Sequence, residues 1–199
     1  MESYEEALQD FNRAIELNPR SDWAIANRGD IYRLMESYEE ALQDFDIAIE
    51  LNPKYDWAIA NRCLTYILMG RYEEALQDIN CAIELNPKND WYLYLRGITY
   101  LILRQTDSAK ADLNNAIQIA QDKHVKKPDN CQNTFNLALY HLVVGKPSKA
   151  QELYQAALQQ GASQIDIREA IQELTDLLLV FPKNTAAQEI KATLVEFRI

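Results

Sequence analysis

The string MESYEEALQDF occupies positions 1–11 and returns at 35–45, and an edited copy, MGRYEEALQDI, runs from 69 to 79. Each copy starts 34 residues after the last, and residues 4–37 and 38–71 agree at 24 of 34 positions. A unit this short cannot bury an apolar face alone, so the chain must stack its units into an array. Within each unit the apolar residues recur at helical spacing, as in Tyr38, Ala41, Leu42, Phe45, Ala48 and Ile49. Leu-Asn-Pro at 17–19, 51–53 and 85–87 ends one helix per unit, because proline cannot continue a helix and steers the residue before it towards extended angles. Asp22, Asp56 and Asp90 then stand where an N-cap or first-turn acid would open the next helix. The expected fold is all-α.

Only five glycines and six prolines interrupt 199 residues, which suits a helical array. The net charge of −10 is uneven: residues 1–100 carry 19 acids against 9 bases, and 101–199 carry 11 of each. An acidic first half repels phosphate backbones and argues against nucleic acid or an anionic membrane as partner. Cys63, Cys81 and Cys131 are odd in number and widely spaced, which fits neither a disulfide framework nor a zinc site and points to a reducing, cytoplasmic setting. No apolar run reaches membrane-spanning length.

These features together resemble the tetratricopeptide repeat family, whose 34-residue unit is an antiparallel pair of helices, A and B. Its small positions fall in helix B at Ala7, Ala41, Ala75, Ala109 and Ala150, and again at Ala14, Ala48, Ala82, Ala116 and Ala157. The bulky position between them holds Phe11, Phe45, Ile79, Leu113 and Tyr154. In helix A, Gly29, Cys63, Gly97 and Ala138 are small, followed three later by Tyr32, Tyr66, Tyr100 and His141. The resemblance implies a right-handed α-solenoid. It places a half repeat at 1–21 and full repeats at 22–55, 56–89, 90–130 and 131–161. The third carries a seven-residue insertion near 122–130, accommodated by an extended helix B or a longer loop. Residues 162–199 are expected to form two capping helices. In this register Met1–Ser3 is a turn and Tyr4 opens a helix B lacking its own helix A, as in a fragment of a longer array.

The resemblance also implies that helix A lines a concave groove meeting a protein or peptide partner. The groove positions are Trp23, Asn27, Asp30 and Arg33 in the first full repeat, then Trp57, Asn61, Leu64 and Ile67. Trp91, Tyr94, Ile98 and Leu101 follow in the third. Asn27 and Asn61 would bond an extended peptide's backbone. The basic clamp with which some family members hold a terminal carboxylate is not formed, because Ala26, Asp30, Trp91 and Leu95 replace its residues and leave only Asn61. Helix A of the third repeat, WYLYLRGITYLIL, is apolar nearly all round. It must be covered by the C-terminal helices, a partner or a second copy.

Chemistry finds little support. No phosphate-cradling or metalloprotease string occurs, so neither enzymatic activity, a cofactor nor a metal is expected. Of the two histidines, His141 takes a core-tyrosine position, and His124 sits with Lys123, Lys126 and Lys127 in a short basic stretch that reads as solvated. The expected function is a protein-interaction scaffold. Its last third loosely resembles the ends of such arrays in large bacterial signalling proteins, which implies a sensor or regulatory fragment. The alternative is self-assembly, with the apolar groove or the N-terminal edge pairing with another copy.

Overall fold

The computed structural model describes residues 2–197, and among these every regular element is an α-helix. By internal contacts the chain divides into two compact units, residues 1–87 and 88–199.

The first unit holds α1 (Glu2–Leu17), α2 (Asp22–Leu34), α3 (Tyr38–Leu51), α4 (Asp56–Leu68) and α5 (Tyr72–Leu85). Antiparallel pairs α2–α3 and α4–α5 pack tightly, α3 joins one pair to the next, and α1 lies on α2. Helix α1 opens at Glu2, two residues earlier than the repeat register implies; Met1 lies outside the described residues. Asp22 and Asp56 are first-turn acids rather than caps. Ser21 caps α2, its Oγ accepting from Ala24 N at 3.2 Å. Around Phe45, which is fully buried, Ile25, Ala26, Ala41, Ala48 and Ala58 form a core joined by Tyr32, Tyr55 and Trp57 at its margin.

The second unit holds α6 (Asp90–Ile102), α7 (Thr106–Lys126), α8 (Cys131–Val143), α9 (Pro147–Gln159), α10 (Gln164–Val180) and α11 (Thr185–Phe197). Pairs α6–α7 and α8–α9 repeat the arrangement, with α10 on α8 and α11 on both α10 and α9. The seven inserted residues extend α7 to 21 residues rather than making a loop, and Pro128 now follows its end. The added turns carry Lys123 to an ion pair with the Asp90 carboxylate, and His124 Nδ1 to 3.0 Å from Thr134 Oγ1. The basic stretch is therefore partly a brace between helices. His141 is buried, and desolvation lowers its pKa.

The turns between A and B helices repeat one backbone feature. Glu36, Gly70, Arg104 and Gly145 occupy equivalent places and have φ of 61°, 75°, 59° and 75°. Left-handed angles cost a residue with a Cβ roughly 1–2 kcal/mol. Glu36→Gly and Arg104→Gly are each expected to stabilise the chain by about 0.5–1 kcal/mol. Gly70→Ala should destabilise it by a similar amount, and urea denaturation followed by circular dichroism reads both signs.

Candidate functional site

On α2, Trp23 is 57% exposed although Ala24, Ile25 and Ala26 beside it are buried. The Phe11 ring of α1 meets it edge-on at 5.7 Å between centroids, which fixes the indole without covering it. Asn27 is half-buried and its Nδ2 donates to Trp23 O at 2.7 Å, one turn back. One turn further on, Asp30 Oδ1 accepts from Arg33 Nε at 2.9 Å, and Arg33 is itself buried. This face thus offers an aromatic plate, an amide carbonyl and an internally neutralised ion pair.

The equivalent positions on α4 lie deeper. Trp57 stacks on Tyr55 at 5.9 Å and packs against the Phe45 core, so it braces the preceding inter-helix turn. Asn61 Nδ2 donates to Trp57 O at 2.9 Å, and Asn61, Leu64 and Ile67 are all buried. Both asparagines therefore spend an amide N–H on their own helix and keep the carbonyl oxygen.

In the second unit, Trp91 is half-buried beside Tyr92, with ring centroids 5.8 Å apart. Tyr94 and Ile98 are buried. Tyr94 stacks on Tyr140 of α8 at 4.9 Å, and Tyr140 OH donates to Asp90 Oδ2 at 3.2 Å. Burial first, then the nearby Glu173 and Asp176 carboxylates, raises the Tyr94 pKa. Leu101 lines a cleft of about 260 Å³ with Val143, Leu177, Phe181 and Asn184. Leu177 of α10 and the turn that follows it thus lie across this cleft from the end of α6.

An ion-pair ladder lies outside the groove positions named from the sequence. Arg28 donates through Nε and Nη2 to both Asp44 oxygens at 2.7 Å, and through Nη1 to Asn12 Oδ1 at 2.8 Å. Arg62 grips Asp78 at 2.8 and 2.7 Å and Asp46 at 2.6 Å. Arg96 grips Asp112 at 2.6 and 2.9 Å. Asp44, Asp78 and Asp112 are buried, and each arginine ties helix A to its own helix B. Burial alone would lower the Arg62 pKa; the bonds to Asp78 and Asp46 outweigh it and leave it raised. The Arg-x15-Asp spacing recurs in three units and was available as a signal. The Asn of Leu-Asn-Pro was likewise legible only as a helix stop, yet Asn52 Nδ2 donates to Asp22 Oδ2 at 2.7 Å and Asn86 Nδ2 to Asp56 Oδ2 at 3.1 Å.

Among the described residues no group of His, Cys, Asp or Glu could hold a metal ion, and no helix is long and apolar enough to cross a membrane. The arrangement consists of stacked helix pairs, one exposed indole on α2 and polar groups neutralised in place.

Stacked pairs of this kind define a helical-repeat interaction scaffold. Tetratricopeptide repeat family models match residues 1–21, 23–55, 57–89 and 82–111, and the chain belongs to that family. No curated protein sequence matches it. Among solved structures it is similar to MamA, with TM-score 0.54 and 16% identity over 79% of this chain and 88% of that one. It is also similar to YrrB, described as a tetratricopeptide repeat protein with an unusual peptide-binding site, with TM-score 0.52 and 19% identity over 92% and 97%. The Cut9–Hcn1 hetero-tetramer of the APC/C gives TM-score 0.61 at 12% identity, where the match covers 96% of this chain and 39% of that one. At these identities the likeness is one of fold.

Proposed function

We propose that this chain binds a peptide or protein partner on its helix-A faces, with the primary contact on α2 around Trp23, Asn27 and Asp30. The observation that carries the reading is Trp23, a large aromatic left more than half exposed on an ordered helix and held at its edge by Phe11. Such plates supply contact area at little entropic cost, and tryptophan is enriched among residues that dominate binding energy. Arg33, Trp57, Asn61, Leu64 and Ile67 shape and support this face from beneath. Trp91, Tyr94, Ile98 and Leu101 form the corresponding surface of the second unit, and its use requires α10 to yield. The role we assign is regulatory, in the cytoplasm, a setting in keeping with three free cysteines. No cofactor takes part.

Selection of a displayed random peptide library on the intact chain tests the reading. Enriched peptides are expected to bind Trp23→Ala at least ~10-fold more weakly, the loss typical of a hot-spot truncation, with the circular dichroism spectrum unchanged. Trp57→Ala should lower affinity and melting temperature together, because that ring also packs on the core. Peptides that bind wild type and Trp23→Ala equally would remove the proposed surface.

Self-assembly is the second reading, and it has one observation behind it. Leu17 is 80% exposed on α1, whereas its repeat equivalent Leu51 is half-buried in the Phe45 core. A Leu17→Ser variant would then lower the concentration-dependent mass seen by light scattering; a monomer at every concentration excludes this pairing.

A further inference from the structure

We propose that α10 is a pH-gated cover on the second unit, held over α6 and α8 only while the Glu173 side chain keeps its proton. Leu177 and Phe181, on α10 and just after it, meet Leu101 and Val143 across one cleft, so α10 occupies the surface that helix A of the third repeat would otherwise present. Glu173 lies one turn before Leu177 on the same helix, and its Oε1 takes a long contact of 3.5 Å from Gln132 Nε2 of α8. Its Oε2 is sealed from solvent without a hydrogen-bond partner, as are Gln132 Oε1 and the Tyr154 hydroxyl of α9.

The charged groups that act on this carboxyl are acids. On α10 they are Glu169 and Asp176, and from α6 comes Asp90. The Asp90 carboxylate already receives Lys123 from α7 and the Tyr140 hydroxyl from α8, so that lysine is spent. Tyr94 of α6, Tyr140 of α8 and Tyr154 of α9 lie near it, and burial first, with Glu173 adding to it, raises the pKa of all three. Glu189 and Lys191 of α11, which packs on α10, make no bond to Glu173. An ionised carboxylate in this position is desolvated and repelled, whereas the neutral acid removes the buried charge.

Burial, then Glu169, Asp176 and Asp90, pushes the Glu173 pKa up from 4.5 to about 8. The seated helix therefore binds more protons than the released one. Its hold is full below pH 4.5, declines as pH rises, and is weakest above about 8. A modest rise through neutral pH loosens α10 and bares Tyr94, Ile98 and Leu101. The inference concerns α10 alone and stands or falls separately from peptide binding on α2.

Two measurements on the full chain decide it. Carbonyl ¹³C NMR of wild type should place the Glu173 side-chain titration near 8, and a midpoint near 4.5 overturns the proposal. Hydrogen exchange, corrected for intrinsic rates, should show amides of 164–180 losing protection roughly 10- to 100-fold between pH 6 and 9 in wild type, a range set by the two pH units below the midpoint. Glu173→Gln, which is neutral at every pH, should hold its protection flat across that range. Equal loss in both proteins, or a Glu173 titration near 8 with α10 protection unmoved, overturns the gate.

Discussion

Arg62→Ala is expected to destabilise the first unit by about 2–4 kcal/mol, far beyond the 0–1 kcal/mol of an ordinary surface ion pair. The difference lies in what is left behind. Asp78 is 7% exposed, and Arg62 supplies bonds to both of its oxygens. Truncation strands a buried carboxylate and also releases Asp46, which Arg62 Nη1 holds at 2.6 Å. The figure sits below the full penalty for a deep charge because Arg62 keeps about a fifth of its side chain in solvent. Arg62→Lys should recover less than half, since an ammonium cannot fork onto two oxygens while reaching a third. Urea denaturation followed at 222 nm measures each variant. With Asp78→Ala and the double replacement, the cycle should give a coupling above about 1 kcal/mol. A loss below about 0.5 kcal/mol for Arg62→Ala would show the ladder to be ornamental to stability.

That ladder also shows where the sequence was legible. The 34-residue period, the Leu-Asn-Pro stops and the alternation of alanine with bulky residues each bear on backbone spacing. Backbone spacing is what a repeat must conserve in order to stack, so the helix pairs followed directly. Polar side chains reaching across helices left only a faint trace: Arg28, Arg62 and Arg96 look like solvated charges until their partners sixteen residues on are seen to be buried. The candidate site divides along the same line. Trp23 and Trp57 are equivalent in sequence, yet one is exposed and the other supports the Phe45 core, because Trp57 has Tyr55 beside it where the earlier repeat has Ser21. The surround of Glu173 was illegible for a different reason. It brings α6, α8, α9 and α10 together over some eighty residues of chain, and α10 lies beyond the repeat register.

Leu113→Ala is expected to cost about 3 kcal/mol, and Gly97→Ala about 1–2 kcal/mol, but the two together should cost less than their sum. A Cβ placed on Gly97 would lie 2.7 Å from Leu113 Cγ and 2.9 Å from its Cδ2, with the Ala109 carbonyl 3.6 Å away. The clash is thus almost wholly with one side chain, and α6 and α7 approach this closely only because position 97 has none. Alanine is worth up to about 1 kcal/mol over glycine inside a helix, which offsets part of the overpacking. Removing the Leu113 branch opens the space that the new methyl needs, so the pair should show a favourable coupling of about 1 kcal/mol or more. Gly29 makes the opposite case. There the new Cβ would sit 3.2 Å from the Ala41 carbonyl oxygen and 3.1 Å from Asp44 Cβ, and neither can be trimmed away without moving α3 or breaking the Arg28 pair. Truncating Phe45, the third neighbour, should therefore fail to rescue Gly29→Ala. Denaturation midpoints of the wild type and the six variants separate the outcomes. Strict additivity at 97 and 113 would mean that helix separation here is set elsewhere than at the glycine.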